Sequence, residues 1–206
     1  MALMSKKSSH QEQPHRIGRR PLDALLEELR TGDVAVRRRA AGGLADWPEA
    51  VEALCAWLPE EPDGVTRERI FSALQLMDGE AVVVGLIPLL RVDDPSLRNG
   101  AVDVLGVHAE ALAPHVDDLL SDPDPDVRIM TLEIMAVLKD PRVIQWLVGV
   151  IRTDDHVNVL AVAVDHIARC GDRSAVTPLR ALRRRRGDVQ YLKFAIGQAL
   201  SAVQER

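Results

Sequence analysis

The residues of this sequence that could carry out acid–base or metal chemistry are its histidines and carboxylates. His166 directly follows Asp165, and a histidine beside a carboxylate can act as a base or as a metal ligand. Neighbouring residues on a helix point about 100° apart, however, so these two side chains cannot form a dyad directly. No second or third column of ligands accompanies them. The sequence therefore predicts no catalytic residue, no metal site and no cofactor.

The two cysteines, Cys55 and Cys170, lie far apart and outside any Cys-x-x-Cys or Cys/His pattern. This spacing argues against a disulfide framework or a zinc site and favours a reducing compartment. The N-terminal residues lack the apolar core of a secretory signal, and no apolar run approaches the ~20 residues that span a bilayer. We therefore expect a cytoplasmic protein without a membrane segment.

The densest positive charge is a run of four arginines that could contact an acidic protein or nucleic acid. This candidate basic patch consists of Arg183, Arg184, Arg185 and Arg186. No aromatic residue or glycine interrupts the run, and the net charge of the chain is -5, so nucleic acid is an unfavourable partner. Because cations at a helix C-terminus are favoured by the helix dipole, we expect a solvated helix end here.

A repeat of about 30 residues organises all of these groups. Six short polar junctions recur at intervals of 30 to 32 residues, and a period in this range is typical of a solenoid. The junctions read "DVAVR", "DGVTR", "DPSLR", "DPDVR", "HVNVL" and "DVQYL" and begin at Asp33, Asp63, Asp94, Asp124, His156 and Asp188.

The junction residues predict a helix start and a link between repeats. An aspartate in first place can cap the helix that follows, and proline in second place fits the first helical turn. The fifth residue of the first four junctions is an arginine, and we expect a ladder of Asp–Arg pairs between repeats. These arginines are Arg37, Arg67, Arg98 and Arg128.

Two amphipathic helices flank each junction. After it, apolar or small residues stand three, four and seven places beyond the arginine position, which is one helical face. Before it runs a second apolar segment, and no alternating strand pattern occurs. The sequence predicts an all-α, right-handed solenoid of about six helix pairs over residues 20–206. Residues 1–19 are polar and aperiodic, and we expect a disordered tail there.

The stretch "LAPHVDDLLSDPDPDVRIMTLEIMAVLKD" resembles a HEAT repeat, with proline in the first helix, an Asp-Pro turn and Val-Arg opening the second helix. The period is most similar to the short HEAT-like repeats of phycocyanobilin lyase subunits, and the resemblance covers about residues 20–205. It implies uses that range from bilin attachment and metal-dependent hydroxylation to DNA glycosylation and scaffolding. The chain has no His-Glu dipeptide, is acidic and is only 3% aromatic, which argues against the hydroxylase and glycosylase branches.

In such a solenoid the second helices line the concave face, which is the common binding surface. Five places after the arginine position, three consecutive repeats carry an acid. These residues are Asp103, Glu133 and Asp165. Two places after it, the side chains change from basic to apolar along the chain. These residues are Arg39, Arg69, Met130, Val162 and Phe194. Together they form the predicted partner-binding face, although a merely solvated helix surface would be charged as well.

The sequence thus predicts a non-catalytic protein-binding scaffold or adaptor whose partner presents a basic or amphipathic segment. The resemblance implies a bacterial regulatory or assembly complex as its setting. One alternative is a bilin-lyase-like subunit, in which Arg39, Arg69 and Asp103 would hold a tetrapyrrole. The other alternative is a nucleic-acid-binding solenoid that uses the arginine clusters.

Overall fold

The structure is a computed structural model that describes residues 20–205, and its regular elements in this range are all helical. The predicted tail at residues 1–19 lies outside the described residues. Across residues 20–205, no helix is both long enough and apolar enough to cross a membrane. The α-helices are α1 (Leu22–Thr31), α2 (Val34–Leu44), α3 (Val51–Trp57), α4 (Gly64–Leu74), α5 (Gly79–Leu86), α6 (Pro95–Val107), α7 (Ala109–Leu112), α8 (Val116–Leu120), α9 (Pro125–Met135), α10 (Val143–Thr153), α11 (Val157–Cys170), α12 (Val176–Arg186) and α13 (Gln190–Gln204).

These helices form two layers. The second helices of the repeats, α2, α4, α6, α9, α11 and α13, contact one another in chain order. The first helices α3, α5 and α7 also follow one another, as do α10 and α12, and each repeat packs its first helix against its second. Because every repeat contacts its neighbours, one core runs along the whole array. The described chain is therefore an all-α solenoid of six helix pairs, as predicted.

Aspartate caps begin the first four second helices, as predicted. In each case the carboxylate accepts a hydrogen bond from a backbone N–H two or three residues further on. The capping residues are Asp33, Asp63, Asp94 and Asp124. The expectation of a cap at Asp188 is wrong, because the Val189 N–H bonds to the Arg186 carbonyl at 3.3 Å and α13 starts only at Gln190.

Prolines make the first helices irregular. Pro88 lies in a 3-10 turn that follows α5, and Pro114 lies in the 3-10 turn between α7 and α8. Proline lacks the N–H that donates the i to i-4 hydrogen bond of an α-helix. The chain therefore forms a tighter 3-10 turn at Pro88 and at Pro114. The second helices have no such break. The solenoid therefore has one regular layer, and the predicted binding face lies on it.

The predicted core columns are buried. The side chains three, four and seven places after the arginine position lie in the core, apart from the half-buried Val102 and Ala195. Thr131, the polar member of these columns, donates its hydroxyl to the Val127 carbonyl at 2.8 Å. Several of the residues are alanines, which allows the second helices to approach closely. The residues of the second helices that stand between these buried columns form the surface of the layer.

Candidate functional site

A ladder of arginine–carboxylate pairs holds the junctions together, and its purpose is structural. Several pairs join one repeat to the next, among them Arg38–Asp63 at 2.8 Å, Arg67–Asp94 at 2.8 Å and Arg128–Asp154 at 2.7 Å. The third repeat departs from the pattern, because Arg98 donates to the Val92 carbonyl of its own junction at 2.8 Å. There Arg91 pairs with Asp122 instead. The predicted ladder thus exists, with some partners that the aligned junctions did not indicate.

Glu61 is the most enclosed member of this ladder. Its carboxylate is fully buried and accepts from Arg37 Nε at 2.9 Å, from Trp57 Nε1 at 3.0 Å and from the Asp63 N–H at 3.0 Å. Burial alone would raise the pKa of Glu61, but these donors hold the pKa below its ordinary value. The group is therefore ionised at neutral pH and serves as a structural anion rather than as a proton donor.

The acidic column lies on the exposed side of the second-helix layer, on α6, α9 and α11. Its three residues, Asp103, Glu133 and Asp165, are all exposed. Packed helices lie about 8–10 Å apart, which makes this a stripe of charge rather than a joint ligand set. Asp165 pairs with Arg169 at 2.9 Å one turn later. Among residues 20–205, Asp103 and Glu133 form no ion pair, so no salt bridge within this range neutralises their charge.

The second predicted column is surface-exposed with one exception. Arg39 and Arg69 are exposed, Val162 is half-buried, and Phe194 is 69% exposed. Met130 is a core residue with only 8% of its surface accessible, so the expectation that it contacts a partner is wrong. The basic members and the acidic column therefore share the surface, whereas the predicted apolar side is interrupted.

Gly100 shows why Met130 is buried. Gly100 occupies the same offset one repeat earlier, and a Cβ there would lie 2.2 Å from the Phe71 ring of the preceding repeat. This offset therefore faces the boundary between two repeats. Whether a residue at this offset is buried or exposed depends on the side chains of the neighbouring repeat. The position of a residue along its own helix gives no information about the size of those side chains.

The four arginines of the basic patch differ in their contacts. All lie in the last turn of α12. Arg185 donates to the Asp154 carbonyl at 2.7 Å and to two more carbonyls at the end of α10. Arg186 lies 3.9 Å from an Asp155 carboxylate oxygen. Arg183 and Arg184 are exposed. Within the predicted patch, Arg185 thus caps the neighbouring helix α10, as cations at a helix C-terminus are expected to do.

The histidines and cysteines within residues 20–205 lie in different surroundings. Burial, and next the charge of Arg169, lower the pKa of His166, although Asp165 raises it. His108 Nε2 lies 3.1 Å from the Leu74 carbonyl and links two repeats. No group of three or more His, Cys, Asp or Glu residues between positions 20 and 205 could hold a metal ion. The thiol of Cys55 is buried in the core, and that of Cys170 is exposed.

The sequence did not predict a row of exposed apolar residues at the ends of the second helices. Leu76 is 78% exposed, Val107 59% and Val137 60%. All three stand nine places after the arginine position of their repeats. The recurrence of an apolar residue at this position is visible in the aligned repeats. The position lies at the helix ends, however, beyond the three offsets used to define the helical face. We call these three residues the apolar row.

The match to known families covers most of this architecture. A model of HEAT repeats matches residues 22–106 and 113–201, which hold nearly all of the helix pairs described above. The chain belongs to the HEAT-repeat family. That family is the one that the Asp-Pro junctions and the Val-Arg helix starts predicted. A comparison with curated proteins finds no match.

Several solved structures are similar to this chain at low identity. An engineered protein is 17% identical with a TM-score of 0.45, over 89% of this chain and 96% of its own. A designed armadillo repeat protein is 16% identical with a TM-score of 0.43, over 89% and 100%. The complex of CpcE and CpcF of phycocyanin lyase from Nostoc sp. PCC7120 is 19% identical with a TM-score of 0.36, over 95% and 100%.

Proposed function

We propose that this protein is a non-catalytic scaffold that binds another protein through the exposed face of its second helices. The exposed acidic column on three consecutive second helices, of which only Asp165 forms an ion pair within residues 20–205, is the observation that carries the proposal. Repeat arrays present such continuous surfaces to extended partners. A stripe of one charge sign selects a partner of the opposite sign and speeds the encounter. The partner is therefore a protein with a basic segment.

The charges on this face also favour one orientation of the partner. Arg39 and Arg69 are exposed on α2 and α4, whereas Asp103 and Glu133 are exposed on α6 and α9. A segment lying across the layer meets positive charge at one end and negative charge at the other. Placing like charges together is unfavourable, so the reversed segment binds more weakly.

The proposal is tested by capturing partners from cells with the intact protein and with a charge-reversed variant. The variant carries Asp103→Lys, Glu133→Lys and Asp165→Lys. A matched control reverses three exposed acids in and beside the first-helix layer and so has the same net charge. The control substitutions are Glu49→Lys, Glu52→Lys and Glu80→Lys.

We expect partners to be lost from the acidic-column variant and retained by the control, with both melting as the intact protein does. Equal retention by both variants would contradict a role for this face. Two further results would redirect the function: visible absorbance from a bound tetrapyrrole, or strong, salt-sensitive binding of duplex or single-stranded nucleic acid.

A further inference from the structure

The apolar row has the regularity of a binding surface. Its three side chains come from three consecutive repeats and share one offset. Leu76 and Val137 directly follow the C-cap residues of α4 and α9, Gln75 and Ala136, which have nearly the same conformation, with φ of -61° and ψ of -23° and -26°. Val107 is the last residue of α6. Leu76 and Val137 are therefore structurally equivalent, Val107 occupies the same offset within its longer helix, and exposure recurs at all three.

The apolar row lies beside the acidic column. Asp103 and Val107 are four residues apart on α6, and Val137 follows Glu133 by the same number of residues but lies in the turn just after α9. Residues four apart lie on one helical face, about one turn from each other. Two successive repeats thus present a carboxylate and, four residues later, an exposed valine. A ligand that meets one of these groups lies within reach of the other.

Space is available next to the row. Val107 and Val137 line one groove together with Gly106, Glu110 and Lys139. A Cβ at Gly106 would have no atom within 4 Å, so this glycine leaves the surface open beside Val107. Glu110 and Lys139 carry opposite charges and together add no net charge to the groove. The net charge beside the apolar row is therefore negative, because of Asp103 and Glu133.

We propose that the apolar row and the acidic column together bind an amphipathic basic helix of a partner protein, an assignment that rests on the proposed function. Neighbouring second helices lie about 8–10 Å apart, and a helix rises about 10 Å in seven residues. A ligand helix lying across the layer therefore places an apolar side chain on each row residue when its own apolar residues recur every seven positions. Its lysines or arginines stand beside the second and third of them.

The test measures the binding of two labelled helical peptides to the full chain by fluorescence anisotropy. One peptide has three leucines spaced by about seven residues, with lysines one turn from the second and third leucine. The other has the same composition, with its leucines scattered around the helix. We expect the regular peptide to bind about tenfold or more tightly than the scattered one. Equal affinity for the two peptides overturns the inference.

Two variants of the protein identify the surface. One replaces the apolar row, with Leu76→Ser, Val107→Ser and Val137→Ser. The matched control replaces three exposed apolar residues elsewhere, with Val34→Ser, Val65→Ser and Val84→Ser. We expect the row variant to lose the preference for the regular peptide and the control to keep it. A loss in the control as large as in the row variant contradicts the assignment.

The remaining outcomes separate this inference from the proposed function. If reversing the acidic column weakens the peptide but removing the apolar row does not, the basic ligand stands and the apolar contact fails. If neither change matters, both proposals fail. A dimer that dissociates in the row variant would make a second copy the occupant. Tighter peptide binding after Lys6→Glu and Lys7→Glu would make the protein's own N-terminal segment the occupant. Either result overturns the inference.

Discussion

Arg37 binds the fully buried carboxylate of Glu61 with two nitrogens, Nε and Nη2, each 2.9 Å from a carboxylate oxygen. The pair joins the first repeat to the junction of the second, and Glu61 also accepts from Trp57 and from the Asp63 N–H. A buried ion pair adds little compared with a well-packed apolar contact, but removing one partner leaves the other charge without compensation. This junction is therefore sensitive to a single change.

We expect Glu61→Ala to lower the free energy of unfolding by about 3 kcal/mol, because Arg37 and the Trp57 N–H lose their acceptor. Urea denaturation measures the change. The neighbouring exposed Glu60 provides the control, and Glu60→Ala is expected to change stability by less than about 0.5 kcal/mol. Similar effects of the two substitutions would mean that the pair does not stabilise the junction.

The same carboxylate makes stability depend on pH. The pKa of Glu61 is lower in the folded chain than its ordinary value, so folding favours the ionised form. Its contribution is complete above the unfolded pKa of about 4.3 and is lost as the pH falls through the folded pKa. We expect Glu61→Gln to be less stable at neutral pH but to lose less stability on acidification.

The pH slope of the Glu61→Gln variant will not vanish. Hydrogen bonds from Arg38, followed by those from Thr66, lower the pKa of Asp63, and Arg67 does the same for Asp94. These groups also lose their contribution in acid. Unfolding curves at about pH 7 and about pH 3 should therefore show a reduced difference in the variant. An unchanged difference would contradict the role given to Glu61.

The helix pairs could be predicted because the same sequence pattern of a capped turn and an apolar helical face recurs in the repeats. Asp33 and Asp63 cap helices through local contacts with residues a few places away, which sequence spacing reports directly. Glu61 was missed because its partner Arg37 lies 24 residues away, where only the stacking of repeats brings them together. The burial of Met130 also depends on neighbouring repeats. Local periodicity thus fixes the elements, and contacts between repeats decide which side chains remain on the surface.

The two glycines of α6 are expected to respond in opposite ways to alanine. Gly100→Ala places a Cβ 2.2 Å from the Phe71 ring, whereas nothing lies within 4 Å of the corresponding position at Gly106. Overpacking costs about 1–3 kcal/mol, and alanine favours a helix over glycine by up to about 1 kcal/mol. Thermal unfolding should show Gly100→Ala destabilised and Gly106→Ala unchanged or slightly stabilised. Equal shifts would mean that Phe71 moves aside freely.

The two cysteines should differ sharply in reactivity. Burial raises the pKa of Cys55 to about 12, and Cys170 is exposed. The thiolate is the reactive form, so iodoacetamide should modify Cys170 in the folded protein and leave Cys55 intact. Mass spectrometry of digested protein identifies the modified site. Cys170→Ser should abolish native labelling, and urea should then expose Cys55. Fast labelling of Cys55 without denaturant would mean that the second repeat opens locally.

Neighbouring arginines of α12 provide the last comparison. Both arginines are exposed, but Arg185 donates to backbone carbonyls at the end of α10, including that of Asp154 at 2.7 Å, whereas Arg184 makes no such bond within residues 20–205. We expect Arg185→Ala to lower the free energy of unfolding by about 1 kcal/mol and Arg184→Ala to have almost no effect. If a basic surface here bound an acidic partner, Arg184→Ala would instead weaken that binding at unchanged stability. Thermal unfolding of the two variants therefore separates the capping role from the solvated charge that the run of four arginines predicted.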